Sequence, residues 1–214
     1  KGNERFEATD SSKSFTAGSV SSGALLSLTP VWSLAATLGY TERAPTFYEL
    51  FANGAHVATG TYEVGSANLS KEKAVSSDLA LRFDTGTHTG SVGVFYSHFS
   101  NYIGLLGTGR TLNDEGVPDA DGIPEYIYSG VRARFTGFEA KDHWKLGESA
   151  YGKFALELAG DYTRATNLDT GQALPRIAPL RLRSGVLWEL NRWQARVDVE
   201  HASNQGRVPD NESG

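Results

Sequence analysis

His56 lies seven residues after Glu49 and seven before Glu63. An imidazole nitrogen beside carboxylate oxygens is a donor set that suits Zn²⁺, and a folded loop would bring the three groups together. His56, Glu49 and Glu63 are therefore the candidate metal-binding residues. One histidine supplies at most one ligand, so the set is incomplete by itself, and a solvated or packed loop histidine would read the same way. The other histidines, His88, His98, His143 and His201, are scattered and form no His-x-His or His-x-x-x-His pair.

A second group is acidic: Asp114 and Glu115, then Asp119 and Asp121 ahead of Gly122. Taking Gly122 as the sixth position of a calcium loop puts Val117 first and Tyr128 twelfth, where oxygen ligands are required. The spacing favours a solvated acidic loop whose groups attract cations weakly. Catalytic patterns are absent. The chain has no Gly-x-Ser-x-Gly elbow and no cysteine nucleophile, and the Gly107-Thr108-Gly109 pair does not open a helix as a phosphate fingerprint would. No enzyme and no intrinsic cofactor is expected.

These residues need a scaffold. His56 and its glutamates sit in Glu42–Gly65, ERAPTFYELFANGAHVATGTYEVG, a stretch that does not alternate for long and is far too long for a turn. Loops of this length in an ordered domain are usually functional. Glu42, Arg43 and Pro45 are expected to shape its base, because Pro45 fixes its own φ and pushes Ala44 towards extended geometry.

On both sides of that loop the chain alternates apolar and polar residues with period two, the mark of a strand with one apolar face. Trp32, Leu34, Ala36, Leu38 and Tyr40 share one face, with Ser33, Ala35, Thr37 and Gly39 on the other. Similar runs fall at Val20–Leu28, Val75–Phe83, Thr89–Ile103, Tyr126–Leu146, Phe154–Thr163, Leu180–Glu189 and Trp193–Glu200. Phe95 and Phe99 land on a polar face, and Asp142 on an apolar one, where a position near an interface would tolerate it. Short turns near Pro30, Gly86, Gly147–Ala150 and Asn191 alternate with long irregular segments beginning at Glu42, Gly104 and Asn167.

Length discriminates between architectures. Trp32 to Tyr40 covers about 26 Å of strand at ~3.3 Å per residue, which tilted by ~40° projects to roughly 20 Å, near the ~25 Å apolar band of an outer-membrane barrel. An aromatic at each end of that run matches the girdles of such a barrel. Charged residues on the opposite face (Asp78, Arg82, Glu139, Glu157, Asp161, Arg181, Arg183, Arg196, Asp198 and Glu200) would line a wet interior and pair there.

Composition is compatible with this. The 214 residues carry a net charge of −5, no cysteine and 24 glycines, so no basic field for nucleic acid is present. A mean hydropathy of −0.34 leaves no run for a membrane helix but says little about strands, whose alternation averages out. The expected fold is all-β: antiparallel, up-and-down transmembrane strands with short periplasmic turns and long extracellular loops. A passive porin or another outer-membrane barrel remains the first alternative, and a soluble β-sandwich binding module the second.

The runs YTERAPTFYELFANG (Tyr40–Gly54), FYSHFSNYIGL (Phe95–Leu105), GFEA (Gly137–Ala140) and LPRIAPLRLRSGVLWE (Leu174–Glu189) resemble, in the right order, the barrel of TonB-dependent outer-membrane receptors. The resemblance implies about eight strands of a barrel of about 22 strands in the Gram-negative outer membrane. It further implies an N-terminal plug, a TonB complex as energy source, lipid around the wall and a scarce small ligand as cargo. No plug, TonB box or signal peptide lies within the 214 residues, so a C-terminal-half barrel fragment is expected. ANGAHVATGTYEVG (Ala52–Gly65) is closer to the zinc-uptake branch, which would make zinc a transported ion and put further ligands on the plug.

Overall fold

The computed structural model describes residues 12–210. Within them the chain forms β1 (Ser19–Ser27), β2 (Trp32–Arg43), α1 (Phe47–Phe51), β3 (Asn53–His56), β4 (Thr61–Val64), β5 (Glu72–Asp84), β6 (His88–Leu112), β7 (Ile123–Ser149), β8 (Gly152–Asn167), β9 (Arg181–Leu190) and β10 (Trp193–Ala202). Eight of these make one antiparallel meander in the order β1-β2-β5-β6-β7-β8-β9-β10. The eight expected strands are these eight. The sheet is open, with β1 and β10 at its two edges.

Register sorts the side chains onto two faces. Rows such as Leu38, Ser77, Tyr96 and Thr136 run across β2, β5, β6 and β7 on the outer face. Along that face Val20, Leu26, Leu38, Val92, Val94, Val197 and Val199 are each more than half exposed. An apolar wall this open belongs against lipid, not water, and among the described residues no second sheet packs on it as a sandwich requires. Trp32, Phe83 and Trp144 mark its lower rim, with Trp32 and Phe83 rings 5.3 Å apart.

The inner face is polar and several of its charges pair with one another. Arg196 holds Glu157 at 2.9 Å and Asp198 at 2.6 Å, Arg181 holds Asp161 at 2.9 Å, and Ser76 and Ser97 share a 2.8 Å hydrogen bond. Phe95 stands on this face for a steric reason. Its ring lies over Gly137, where an added Cβ would come 2.5 Å from the ring and 2.1 Å from the Tyr162 carbonyl oxygen. Asp142, on the outer face, is satisfied by His88 Nε2 at 2.7 Å, beside Phe83 and Trp144 at the lower rim.

Two expectations about the loops are corrected. The glycine-rich segment from Gly104 is not irregular: β6 continues to Leu112 and β7 begins at Ile123, leaving only 113–122 as the connection. Pairs from Gly104↔Ser129 to Leu112↔Ile123 hold it, with register shifts at Phe99/Tyr102 and Gly107/Thr111. Glycines and bulges hide the period-two pattern there, while the partner strand still supplies the ladder hydrogen bonds. Nor is Glu42–Gly65 irregular. It contains α1 and the β3–β4 hairpin, and β4 docks on β7 in parallel through Tyr62↔Glu125 to Val64↔Ile127.

The two faces make a direct prediction. Ala36→Arg, at mid-height on the outer wall, should cost roughly 2–4 kcal/mol in reversible folding into lipid bilayers. Thr37→Arg, inward and directly opposite Asp78, should cost less than about 1 kcal/mol. Equal costs in a denaturant titration would contradict the assignment of faces.

Candidate functional site: the folded extracellular module

The three long connections, 44–71, 113–122 and 168–180, lie at one end of the sheet, and the first is the most structured. Its base is a set of ion pairs on the first rungs above Tyr40. Arg43 and Glu72 are cross-strand partners on β2 and β5. The Arg43 guanidinium donates to both Glu72 oxygens at 3.2 and 3.1 Å and to both Glu49 oxygens at 2.9 and 3.0 Å. Beside it, Lys71 reaches Glu42 at 2.5 Å, and the Tyr40 hydroxyl donates to the same carboxylate at 2.9 Å.

Glu49 is bound twice over. Thr46 caps α1 by accepting from the Glu49 amide at 3.3 Å, and the Glu49 carboxylate accepts from the Thr46 amide at 2.6 Å, a reciprocal capping box. Pro45, buried just before that cap, directs the chain into the helix. Burial by itself raises the Glu49 pKa, and the Arg43 guanidinium with the Thr46 amide overrides it, holding the carboxyl below its usual range. The hydrogen bond from Lys71 takes Glu42 down to about 2.

The rest of the module folds against this base. Leu50, Leu69 and Ile103 form a buried cluster flanked by Phe15, Phe51 and Tyr128. Gly65 passes so close to α1 that an added Cβ would lie 2.6 Å from the backbone of Leu50 and Phe51. From this support the β3–β4 hairpin projects His56. His56 Nδ1 lies 2.9 Å from the Thr59 hydroxyl and 3.8 Å from Glu63 Oε1. The imidazole is half exposed while Glu63 is buried, and the Tyr128 hydroxyl donates to Glu63 Oε2 at 3.4 Å. Burial and the Glu63 carboxylate raise the Tyr128 phenol above its ordinary value, so it stays a neutral donor.

The structure therefore brings His56 and Glu63 together and commits Glu49 to Arg43. Asp114, Glu115, Asp119 and Asp121 are exposed in the 113–122 connection. There Asn113 Oδ1 caps the Glu115 and Val117 amides at 3.0 Å, and Asp119 Oδ1 accepts from the Asp121 amide at 3.0 Å. Among the described residues no three His, Asp or Glu side chains converge to hold an ion. Sequence reasoning overlooked Glu72, Lys71 and Glu125. Glu125 is fully buried next to Tyr62 and accepts from Arg110 Nε at 2.7 Å and Thr108 at 2.8 Å. Extending the β2 and β5 alternation past Tyr40 would have set Arg43 opposite Glu72.

The TonB dependent receptor-like β-barrel family matches residues 2–214. The chain belongs to that family. It is thus a piece of an outer-membrane receptor barrel and not an enzyme. The Heme/hemopexin utilization protein C of Haemophilus influenzae (strain 86-028NP) is 27% identical over 190 residues, covering 81% of this chain and 26% of its own length. Among solved structures, the copper transporter OprC superposes with a TM-score of 0.67 at 22% identity, over 91% of this chain and 27% of its own. The ferric enterobactin receptor PfeA of Pseudomonas aeruginosa gives 0.60 at 19% identity, over 85% and 27%. The chain spans about a quarter of the length of these relatives.

In this receptor barrel Arg43 is the residue on which the module hangs, and removing it leaves two largely buried carboxylates without their cation. Arg43→Ala should loosen residues 46–66 by about 2 kcal/mol, seen as faster amide hydrogen exchange there and unchanged exchange in β8 and β9. Arg43→Lys should not restore it, because one ammonium cannot bind two carboxylates bidentately. The Lys71–Glu42 latch depends on a carboxyl whose folded value lies below its unfolded one. Its contribution is complete above the ordinary Glu value of ~4.3 and should vanish only as pH falls through about 2. Exchange or proteolysis of the module base at pH 3 and pH 1.5 checks this.

Proposed function

We propose that this chain is part of the wall of a receptor that takes up a scarce metal-bearing ligand across the outer membrane, powered by the TonB complex. Residues 1–214 are then a partial barrel domain, with the plug and the remaining strands supplied by the rest of the receptor. Lipid surrounds the outer face. Cargo binds between the extracellular loops and the plug, and loop movement commits it inward.

The observation that carries this reading is the His56–Glu63 pair, held on a module that α1, β4 and the Arg43 ion pairs make rigid. A half-exposed imidazole 3.8 Å from a buried carboxylate offers one nitrogen and one oxygen donor to an incoming ion while staying on a fixed support. Such donors suit zinc or copper better than calcium. The names of the relatives speak of haem, copper and ferric siderophores, all metal-bearing. Zinc is the cargo favoured by the Ala52–Gly65 segment. The ligands the pair lacks would come from the plug, and the acids at 114, 115, 119 and 121 would draw cations towards the mouth.

Isothermal calorimetry of the full-length receptor with Zn²⁺ tests the reading. His56→Ala should weaken binding by about ten-fold or more, and Glu63→Gln by less, with Glu49→Gln acting on module stability and not on affinity. Unchanged zinc affinity in His56→Ala would remove this site from the proposal.

A further inference from the structure

The outer wall changes character just above its apolar band. Tyr96, Phe138 and Tyr162 form the upper aromatic rim, with the Phe138 and Tyr162 rings 6.2 Å apart. On the rung of Leu38, Ser77, Tyr96 and Thr136 the partner of Thr136 on β8 is Arg164. On the next rung up the row runs Tyr40, Val75, His98, Arg134 and Thr166 across β2, β5, β6, β7 and β8. One step higher on the same face is Lys73, opposite Glu42.

A third arginine arrives from outside the sheet. After β10 the chain folds back over the 168–180 connection, and Ser203 and Gln205 bond to the carbonyls of Leu180 and Ile177. This places Arg207 at the top of β8, donating to the Ala165 carbonyl at 2.7 Å and to the Thr166 hydroxyl at 2.9 Å. Thr166 is the cross-strand partner of Arg134 and lies two residues from Arg164. Burial, with the Arg164 and Arg134 charges nearby, pushes the Arg207 guanidinium below its usual range.

Neutralising acids are engaged elsewhere. Asp169 is held by Arg132 at 2.7 Å, Asp210 by Gln172 and Glu42 by Lys71. Arg134 and Arg164 are exposed and have no ion-pair partner among the described residues. In a chain of net charge −5, three guanidiniums gathered on one patch, with His98 opposite Arg134, are a concentration of positive charge that folding creates. Guanidinium forks match phosphate oxygens bidentately. A group one or two rungs above an aromatic rim, about 7–13 Å along the strands, sits at headgroup depth.

We propose that Arg134, Arg164 and Arg207 form a binding site for the phosphate of an outer-leaflet glycolipid, whose acyl chains lie along the apolar rows below. The site is separate from the cargo site: it faces lipid, while His56 and Glu63 belong to the extracellular module. It depends on the outer-membrane placement of the wall and not on the identity of the cargo.

The full-length receptor in detergent, titrated with bisphosphoryl lipid A and read by native mass spectrometry, provides the test. The wild type should retain lipid A, and Arg134→Gln with Arg164→Gln should lower its affinity by about ten-fold. An inner-wall pair, Arg82→Gln with Lys141→Gln, should leave it unchanged. Dephosphorylated lipid A should bind as weakly as the double variant, and inorganic phosphate at equal concentration should not displace the lipid. If the double variant does not assemble, Arg164→Gln alone should still lower affinity about three-fold. Equal retention by the arginine variants, equal binding of the dephosphorylated lipid, or displacement by inorganic phosphate would each overturn the proposal.

Discussion

A strand with one face against hydrocarbon has no water to satisfy its N–H and C=O groups, so its neighbours must do so along its whole length. That requirement organises this molecule. The meander runs in unbroken order from β1 to β10, and where side-chain alternation fails, in β6 beyond Phe99, the ladder still continues through bulges. Register then decides everything on the two faces. A one-residue slip would carry Arg82, Glu157 and Arg196 into lipid and Leu38, Val94 and Val197 into the interior. The close approach of Phe95 and the Tyr162 carbonyl around Gly137 helps pin β6, β7 and β8 against such a slip.

The same requirement explains why the extracellular module is folded and not loose. Above the apolar band water returns, and charged side chains become usable as struts. Arg43 serves two carboxylates at once because its guanidinium offers two donor edges, one to Glu49 and one to Glu72. The capping box at Thr46 and Glu49 ties the helix start to that strut, so the orientation of α1 and the position of the β3–β4 hairpin are both set from the last rung of β2. His56 is placed by this chain of contacts. The lower rim uses a different device: His88 satisfies Asp142 on the outer wall, between aromatic rings.

The wall and the module divide the work. The inner face carries charges of both signs, several of them held in pairs such as Arg196 with Glu157 and Asp198 and Arg181 with Asp161. The upper rim on the outer face does not neutralise its arginines, and the module presents a nitrogen–oxygen pair whose carboxylate is buried and hydrogen-bonded by Tyr128. The surfaces left with unmatched chemistry are therefore those that face lipid headgroups and the external medium.

Much of this was determined by the sequence alone. Period-two alternation, with aromatics eight residues apart in Trp32–Tyr40, settles strand number, turn parity and which face meets lipid, because side-chain direction in a strand alternates whatever the surroundings. The motif runs at Tyr40–Gly54 and Leu174–Glu189 pointed to the receptor family for the same local reason. Tertiary structure decided what non-local pairing controls. The extent of β6 and β7 rests on a partner strand that supplies hydrogen bonds to glycine-rich residues. The roles of Glu42, Glu49, Glu72 and Glu125 rest on the cations Lys71, Arg43 and Arg110, which strand pairing and the fold of the module bring to them. The arginine patch joins residues 134, 164 and 207, which only the fold-back after β10 unites. Sequence spacing gave Glu49 and Glu63 equal standing beside His56. Folding separated them, because a guanidinium already held by Glu72 claimed the first and left the second against the imidazole.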